Sequence, residues 1–259
     1  MTAARSEVTS AQGHASEGPS RERSTWRYWT ARPDDVHSTS PWSRFGHVNR
    51  ELGATIVELL SRTGLRSGAR ALDYGCGDRP YLSLLPAGVT YIGADLPGNA
   101  KADIEITEDG HIAIPDRSFD LVLSTQVLEH VEDPEVYLAE CVRVLDVGGW
   151  LLLSTHGIMY YHQDPEDYWR WTRVGLEKLI SAHGLEIVAS RGVLGLAAAA
   201  LQILQDGAYW YVPRLMRRPF AVAMQALIVL ADRFYPRVNK ADNCLTIAVL
   251  ARKPASAEC

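Results

Sequence analysis

Two glycines and the aspartates around them carry the clearest chemistry in the chain: Asp73-Tyr74-Gly75-Cys76-Gly77-Asp78, followed about twenty residues later by Asp95. Glycines at alternate positions of a turn let backbone approach a ligand where any Cβ would collide. A carboxylate at the end of the next apolar run can accept both hydroxyls of a ribose. The pattern is that of a nucleoside-containing cofactor lying across the carboxyl ends of neighbouring strands. A dinucleotide would need a third glycine three residues after the second, to bring a helix N-terminus onto a pyrophosphate, and that position is Pro80. Asp73 and Asp78 would repel phosphates but suit the ammonium and sulfonium groups of S-adenosylmethionine (SAM).

A second concentration of reactive side chains begins at Thr155-His156-Gly157 and runs from Tyr160 to Thr172. Methyl transfer from a sulfonium is an in-line displacement, so alignment of acceptor, methyl carbon and sulfur in a dry site is the main requirement. An alcohol acceptor also needs its proton taken, or its pKa lowered by a metal. His156 is the first candidate for the base and His162 the second; His130 reads as structural or cofactor-adjacent. His162, Asp164, Glu166 and Asp167 are the candidate ligands if Mg²⁺ takes part, since that hard ion prefers carboxylates and water. Tyr161, Asp164, Glu166, Tyr168, Trp169 and Arg170 form the candidate acceptor site, because aromatic rings stack on the apolar faces of sugars while acids and Arg bind their hydroxyls.

These groups must be positioned by alternating strands and helices. Residues 70–74, 90–95, 102–106, 120–124, 150–155, 185–190 and 244–251 read as strands. Residues 48–60 are apolar at helical spacing. Asp133-Pro134-Glu135 reads as an N-cap, a proline in the first turn and a first-turn acid. The helix that follows runs to about Leu145, with Val136, Leu138, Ala139, Val142 and Leu145 available to the sheet and Gly148-Gly149 as its stop. Thr172 caps a further helix that Gly184 ends. Between the sixth and seventh strands, residues 192–238 hold two apolar stretches separated by aromatics and Arg214, Arg217 and Arg218, which read as a helical pair. That pair is expected to serve as a dimer interface, a substrate lid or a surface meeting lipid.

On the turn and Asp95 the chain resembles the class I SAM-dependent methyltransferases. The resemblance extends over residues 71–155 through Phe119-Asp120-Leu121-Val122, Leu128-Glu129-His130-Val131, Arg143-Val144-Leu145 and Gly148-Gly149. It implies an α/β, Rossmann-like sheet of seven strands with helices on both faces. It also implies a SAM site drawn from Asp73, Gly75, Cys76, Gly77, Asp95, Leu96, Thr107 and Gln126. Asp103, Thr107 and Glu108 compete for the adenine end, and Tyr28, Trp42 and Arg44 are lid candidates in the N-terminal segment, residues 26–66. Asp167-Tyr168-Trp169-Arg170-Trp171-Thr172 resembles a segment of bacterial, actinobacterial among them, sugar and polysaccharide O-methyltransferases. A sugar hydroxyl is therefore the expected acceptor; a quinone or lipid acceptor, or SAM binding without transfer, are the alternatives.

Composition narrows the classes further. With 47% hydrophobic and 22% charged residues and a net charge of −5, the chain reads as a globular protein with no basic block to hold nucleic acid. Cys76, Cys141, Cys244 and Cys259 lack metal-site spacing, which points to a reducing compartment. Residues 1–25 are expected to form a disordered tail without a signal sequence, and no run is long and apolar enough to span a bilayer. A cytoplasmic homodimer is the expectation.

Overall fold

The apolar run after Ser118 forms a strand, Phe119–Thr125, that exposes only Asp120. A strand so buried must be covered on both faces. In a computed structural model, which describes residues 37–107, 109–162, 166–236 and 240–255, this strand is β4. Its companions are β1 (Arg70–Tyr74), β2 (Thr90–Asp95), β3 (Ile104–Glu105), β5 (Leu145–His156), β6 (Glu186–Gly195) and β7 (Cys244–Arg252). They form one seven-stranded sheet in the order β3-β2-β1-β4-β5-β7-β6. Only β7 runs antiparallel to its neighbours, so the parallel strands end on one edge, where ligands of open α/β sheets bind.

Successive side chains of a strand point to opposite faces, and the core divides accordingly. Leu121, Leu123 and Leu152 pack with α1 (Gly46–Ser61), α4 (Leu196–Tyr209) and α5 (Arg217–Phe234). Val122, Leu151 and Leu153 pack with α2 (Pro134–Val144) and α3 (Arg173–Ala182). The Asp133 carboxylate caps α2 by accepting from Glu135 N and Val136 N at 3.0 and 3.2 Å, and Thr172 caps α3 through Gly175 N at 3.1 Å.

Three local expectations are corrected. Val136 is exposed, and Tyr137, Leu138, Cys141 and Val144 form the buried stripe of α2; the Tyr137 hydroxyl meets Ser124 Oγ on β4 and fixes that rotation. Gly148 and Gly149 do not stop the helix, which ends at Val144, but lie within β5. Gly148 has φ +79°, and a Cβ on Gly149 would sit 2.9 Å from Asp146 O. The pair thus absorbs the irregular start of β5 beside β4. The third strand is only two residues long and is followed by an Ile106–Ile112 bridge.

The insertion is a helical pair, as its pattern indicates, and Arg44 belongs to it. The Arg44 carbonyl accepts from Gln202, Gln205 and Gln225 at 3.0, 2.8 and 2.8 Å. Its guanidinium lies 3.8 Å from Asp206 and over the rings of Phe45, Tyr209 and Trp210. Arg44 therefore anchors α4 and α5 to the entry of α1, and Trp42 is exposed. Neither lines the cavity described below. The tail, Tyr28, Glu108 and Asp164 lie outside the described residues.

Candidate active site

The turn after β1 is held open by its glycines. Gly75 and Gly77 have φ of +84° and +49°, and a Cβ on Gly75 would come within 2.4 Å of Val127 Cγ2. Gly75 N and Cys76 N bond Ala94 O of β2, and Gly77 N donates to Asp95 Oδ2 at 2.9 Å. Asn99 Nδ2 adds bonds to the same Asp95 oxygen and to Gly77 O. The loops after β1 and β2 thus close one side of a cavity of about 860 Å³, in the upper part of the range for small-molecule sites.

Gly75, Cys76, Gly77, Asp95, Leu96, Thr107 and Gln126 all line that cavity. Gln126 does so from a left-handed backbone, φ +59°, with Nε2 on Ser154 Oγ; such strain in a non-glycine residue persists only where surroundings impose it. At the far end Thr107 donates to Asp109, whereas Asp103 is drawn away to Arg79 and Gly93 N. Asp73 is not among the lining residues. It is buried beneath the turn, accepts from Tyr91 at 2.7 Å, and is pushed up to about 6 by burial. It supports the turn from below. Asn99 and Asp109 are lining residues that the motif pattern did not single out.

The other wall is made by the loops after β4 and β5. Glu129 O accepts from Tyr168 N and Trp169 N at 2.8 and 3.2 Å, tying the second loop across the first. His130, Val131, Glu166 and Tyr168 then face the cavity. His130 Nδ1 bonds the Glu166 carbonyl. A carbonyl only accepts, so Nδ1 carries the proton and Nε2 is the basic nitrogen.

His156 and His162 lie behind His130, outside the cavity lining, their rings packed edge to face with centroids at 4.9 Å. His156 Nε2 is 3.2 Å from Glu129 Oε1, and Glu129 Oε2 accepts from Thr155. Burial holds His156 well below its usual range and lifts Glu129 to about 7. Both effects disfavour charge at the pair. The base expected at His156 is thus walled off, because β5 extends through it.

A model of the family described as "Methyltransferase domain" matches residues 45–190, more than half of the chain. The chain belongs to that family. The span runs from the start of α1 to within β6, so it includes every lining residue named above, and it makes the methyltransferase cofactor the natural occupant of the turn.

Among curated relatives, the ubiquinone biosynthesis O-methyltransferase of Dinoroseobacter shibae is 34% identical over 138 residues, 46% of this chain and 54% of that one. Its namesake from Rhizobium rhizogenes is 29% identical over 161 residues, covering 49% and 63%. The chain spans about half the length of the curated relatives it matches. Solved structures share its fold: the [4+2]-cyclase SpnF (TM-score 0.52, 20% identity, covering 78% and 82%) and a putative sarcosine dimethylglycine methyltransferase from Galdieria sulphuraria (0.51, 15%, 80% and 87%). The first is named a cyclase, so the fold does not by itself dictate the reaction.

The expected acceptor residues separate into two groups. Glu166 and Tyr168 line the cavity; Tyr161, Trp169 and Arg170 do not. Trp169 Nε1 donates to Val131 O and its ring packs against Trp171. Arg170 bonds both Asp167 oxygens and the carbonyls of Met159, Tyr160 and Trp169, so its donors are used within the loop. Burial would raise Asp167, but bonds from Arg170 and His162 hold its carboxyl well below the usual range. Asp167 is thus a partner of Arg170. Among the described residues, Glu129, His130 and His162 instead bring potential ligand atoms within 4.8 Å of one another.

Proposed function

We infer that the chain is a SAM-dependent O-methyltransferase whose acceptor is a phenolic hydroxyl on an apolar ring, of the quinol kind. The observation that carries this reading is His130, poised at the cavity wall with its proton on Nδ1. A phenol has a pKa of about 10 and gives its proton to a neutral imidazole far more readily than a sugar alcohol does. Relatives named for ubiquinone biosynthesis support the same acceptor class, and the polar groups expected to bind a sugar are already bonded within the protein, those of Arg170 inside its own loop and Trp169 Nε1 to Val131 O.

SAM, when bound, supplies an electrophilic methyl group. The residues of the chain do the rest. The glycines at 75 and 77 admit the cofactor's amino-acid portion against backbone, Asp95 accepts from the ribose, and Thr107 with Asp109 meets the adenine end. Val131 and Tyr168 exclude water around the acceptor, and His130 Nε2 takes its proton as the oxygen attacks. A positioned base of this kind contributes roughly 10²–10⁴-fold.

The test is methyl transfer from labelled SAM to catechols and phenols of graded apolar tail length, beside a panel of saccharides. Label in the phenols supports the proposal; label in saccharides alone refutes it, and SAM binding without label in any acceptor would favour a non-catalytic role.

A metal-assisted reading is favoured by one observation: Glu129 Oε1 is buried beside His130 and His162 and, although 3.2 Å from His156 Nε2, makes no well-aligned hydrogen bond. Two imidazoles and a carboxylate suit zinc or manganese better than the Mg²⁺ expected for an acidic cluster. In that case a bound ion, not His130, would lower the acceptor's pKa.

A further inference from the structure

The helical insertion carries an apolar surface that the methyltransferase reaction does not use. Helix α5 buries Ala221, Met224, Gln225, Ile228 and Asp232. On the opposite side Leu227, Leu230 and Phe234 are 50%, 54% and 76% exposed, and at 100° per residue they fall on one stripe. The segment leading into the helix adds Tyr211, Leu215 and Met216, at 86%, 89% and 53%. Such a contiguous set of large apolar side chains marks an interaction surface.

Charge decides the kind of partner. Between Gly207 and Ala231 the chain has no Asp or Glu but carries Arg214, Arg217 and Arg218, within a protein of net charge −5. Arg217 is stacked on Tyr209 and Trp210, while Arg214 and Arg218 are exposed. A two-fold dimer formed through this face would gather the arginines of both copies into one interface with no acid of residues 207–231 to pair with them. A polyanion such as nucleic acid would leave Leu215 and Phe234 in water. An anionic bilayer receives both: apolar side chains enter the acyl boundary and arginines meet phosphate headgroups. None of the helices among the described residues is long and apolar enough to cross a membrane, so the helix would lie in the interface plane.

We propose that α5 and the segment before it dock this protein on anionic phospholipid bilayers. The insertion leaves the sheet at the end of β6 and returns at the start of β7, on the edge where the parallel strands end. Tyr160, four residues beyond His156, bonds Asp206 of α4. The docking element is thus tied to the edge of the sheet that carries the cavity. The proposal does not depend on the acceptor's identity, since binding is measured without turnover.

The experiment is cosedimentation of the full chain with phosphatidylglycerol-containing vesicles and with pure phosphatidylcholine vesicles, at low and high salt. Partition onto the anionic vesicles should be about tenfold stronger or more and weaken with salt. Arg214→Glu with Arg218→Glu should abolish the anionic preference. Leu215→Asp with Phe234→Asp should reduce binding to both vesicles. All four side chains are exposed, so thermal melts and SAM affinity should be unchanged, which separates lost docking from lost folding. Equal partition onto both vesicle types, or none, overturns the proposal. So does a concentration-dependent dimer that the aspartate variants dissociate, because the face would then belong to a second copy.

Discussion

His130 in the loop after β4 hydrogen-bonds the main-chain carbonyl of Glu166 in the loop after β5. This bond sets the imidazole tautomer and turns the ring toward the cavity. His130→Gln should therefore lower kcat by roughly 10²–10⁴-fold while SAM affinity stays within about twofold. His156→Ala should do the reverse. It removes the group 3.2 Å from the buried Glu129 oxygen and should destabilise the fold by about 1–3 kcal/mol, with turnover per folded molecule retained. Single-turnover rates and urea midpoints for the two variants check this; a dead but stable His156→Ala would return the base to that residue.

Asp95 is bound to the glycine turn through Gly77 N and lines the cavity. Asp95→Ala should weaken SAM binding by about 10–100-fold, the loss of charge-assisted hydrogen bonds to the ribose. Gly75→Ala should abolish it, since φ +84° and the 2.4 Å approach to Val127 leave no room for a methyl group. Calorimetric titration with SAM reads both, and Asp73→Asn, altered beneath the turn, should change stability more than affinity.

Burial lifts Asp206 to about 6, against bonds from Gln202 and Gln205 and the nearby Arg44. A carboxyl with a raised folded pKa binds its proton more tightly folded than unfolded. Its contribution to stability is complete below the unfolded value, falls as pH rises from about 4 to about 6, and is level above that. Asp206→Asn lacks this dependence. The stability of the natural protein relative to the variant should thus decline by up to roughly 3 kcal/mol across the window. Urea midpoints of both proteins at about pH 4, 5, 6 and 7 test the sign, and a difference that grows with pH would contradict it.

If His130 takes the acceptor's proton without a metal ion, exhaustive dialysis against EDTA should leave methyl transfer intact. Loss of activity restored by zinc or manganese would instead favour an ion at Glu129, His130 and His162. Metal content by elemental analysis, with Glu129→Gln as the comparison, provides a readout independent of turnover.

The glycine turn, Asp95, and the caps at Asp133 and Thr172 were legible because each depends on its own few residues. A positive φ needs glycine, and a side-chain cap needs a short oxygen acceptor next to the first turn. Seven strands were legible because buried parallel strands are short apolar runs. Gly148-Gly149 shows the same limit in reverse. Two glycines after a helix look like a stop, and only pairing with β4 reveals that they lie within a strand.

The sequence by itself determined the α/β fold, the cofactor turn and the pair of helices after β6, since these follow from local backbone freedom and the period of apolar residues. Only the tertiary structure decided which of three histidines meets the cavity, and that Arg170 and Asp167 bind each other. The physical reason is that loop orientation rests on bonds between distant residues. Glu129 O holds Tyr168 N and Trp169 N, and that cross-loop tie is what puts His130 in front and leaves His156 and His162 behind it.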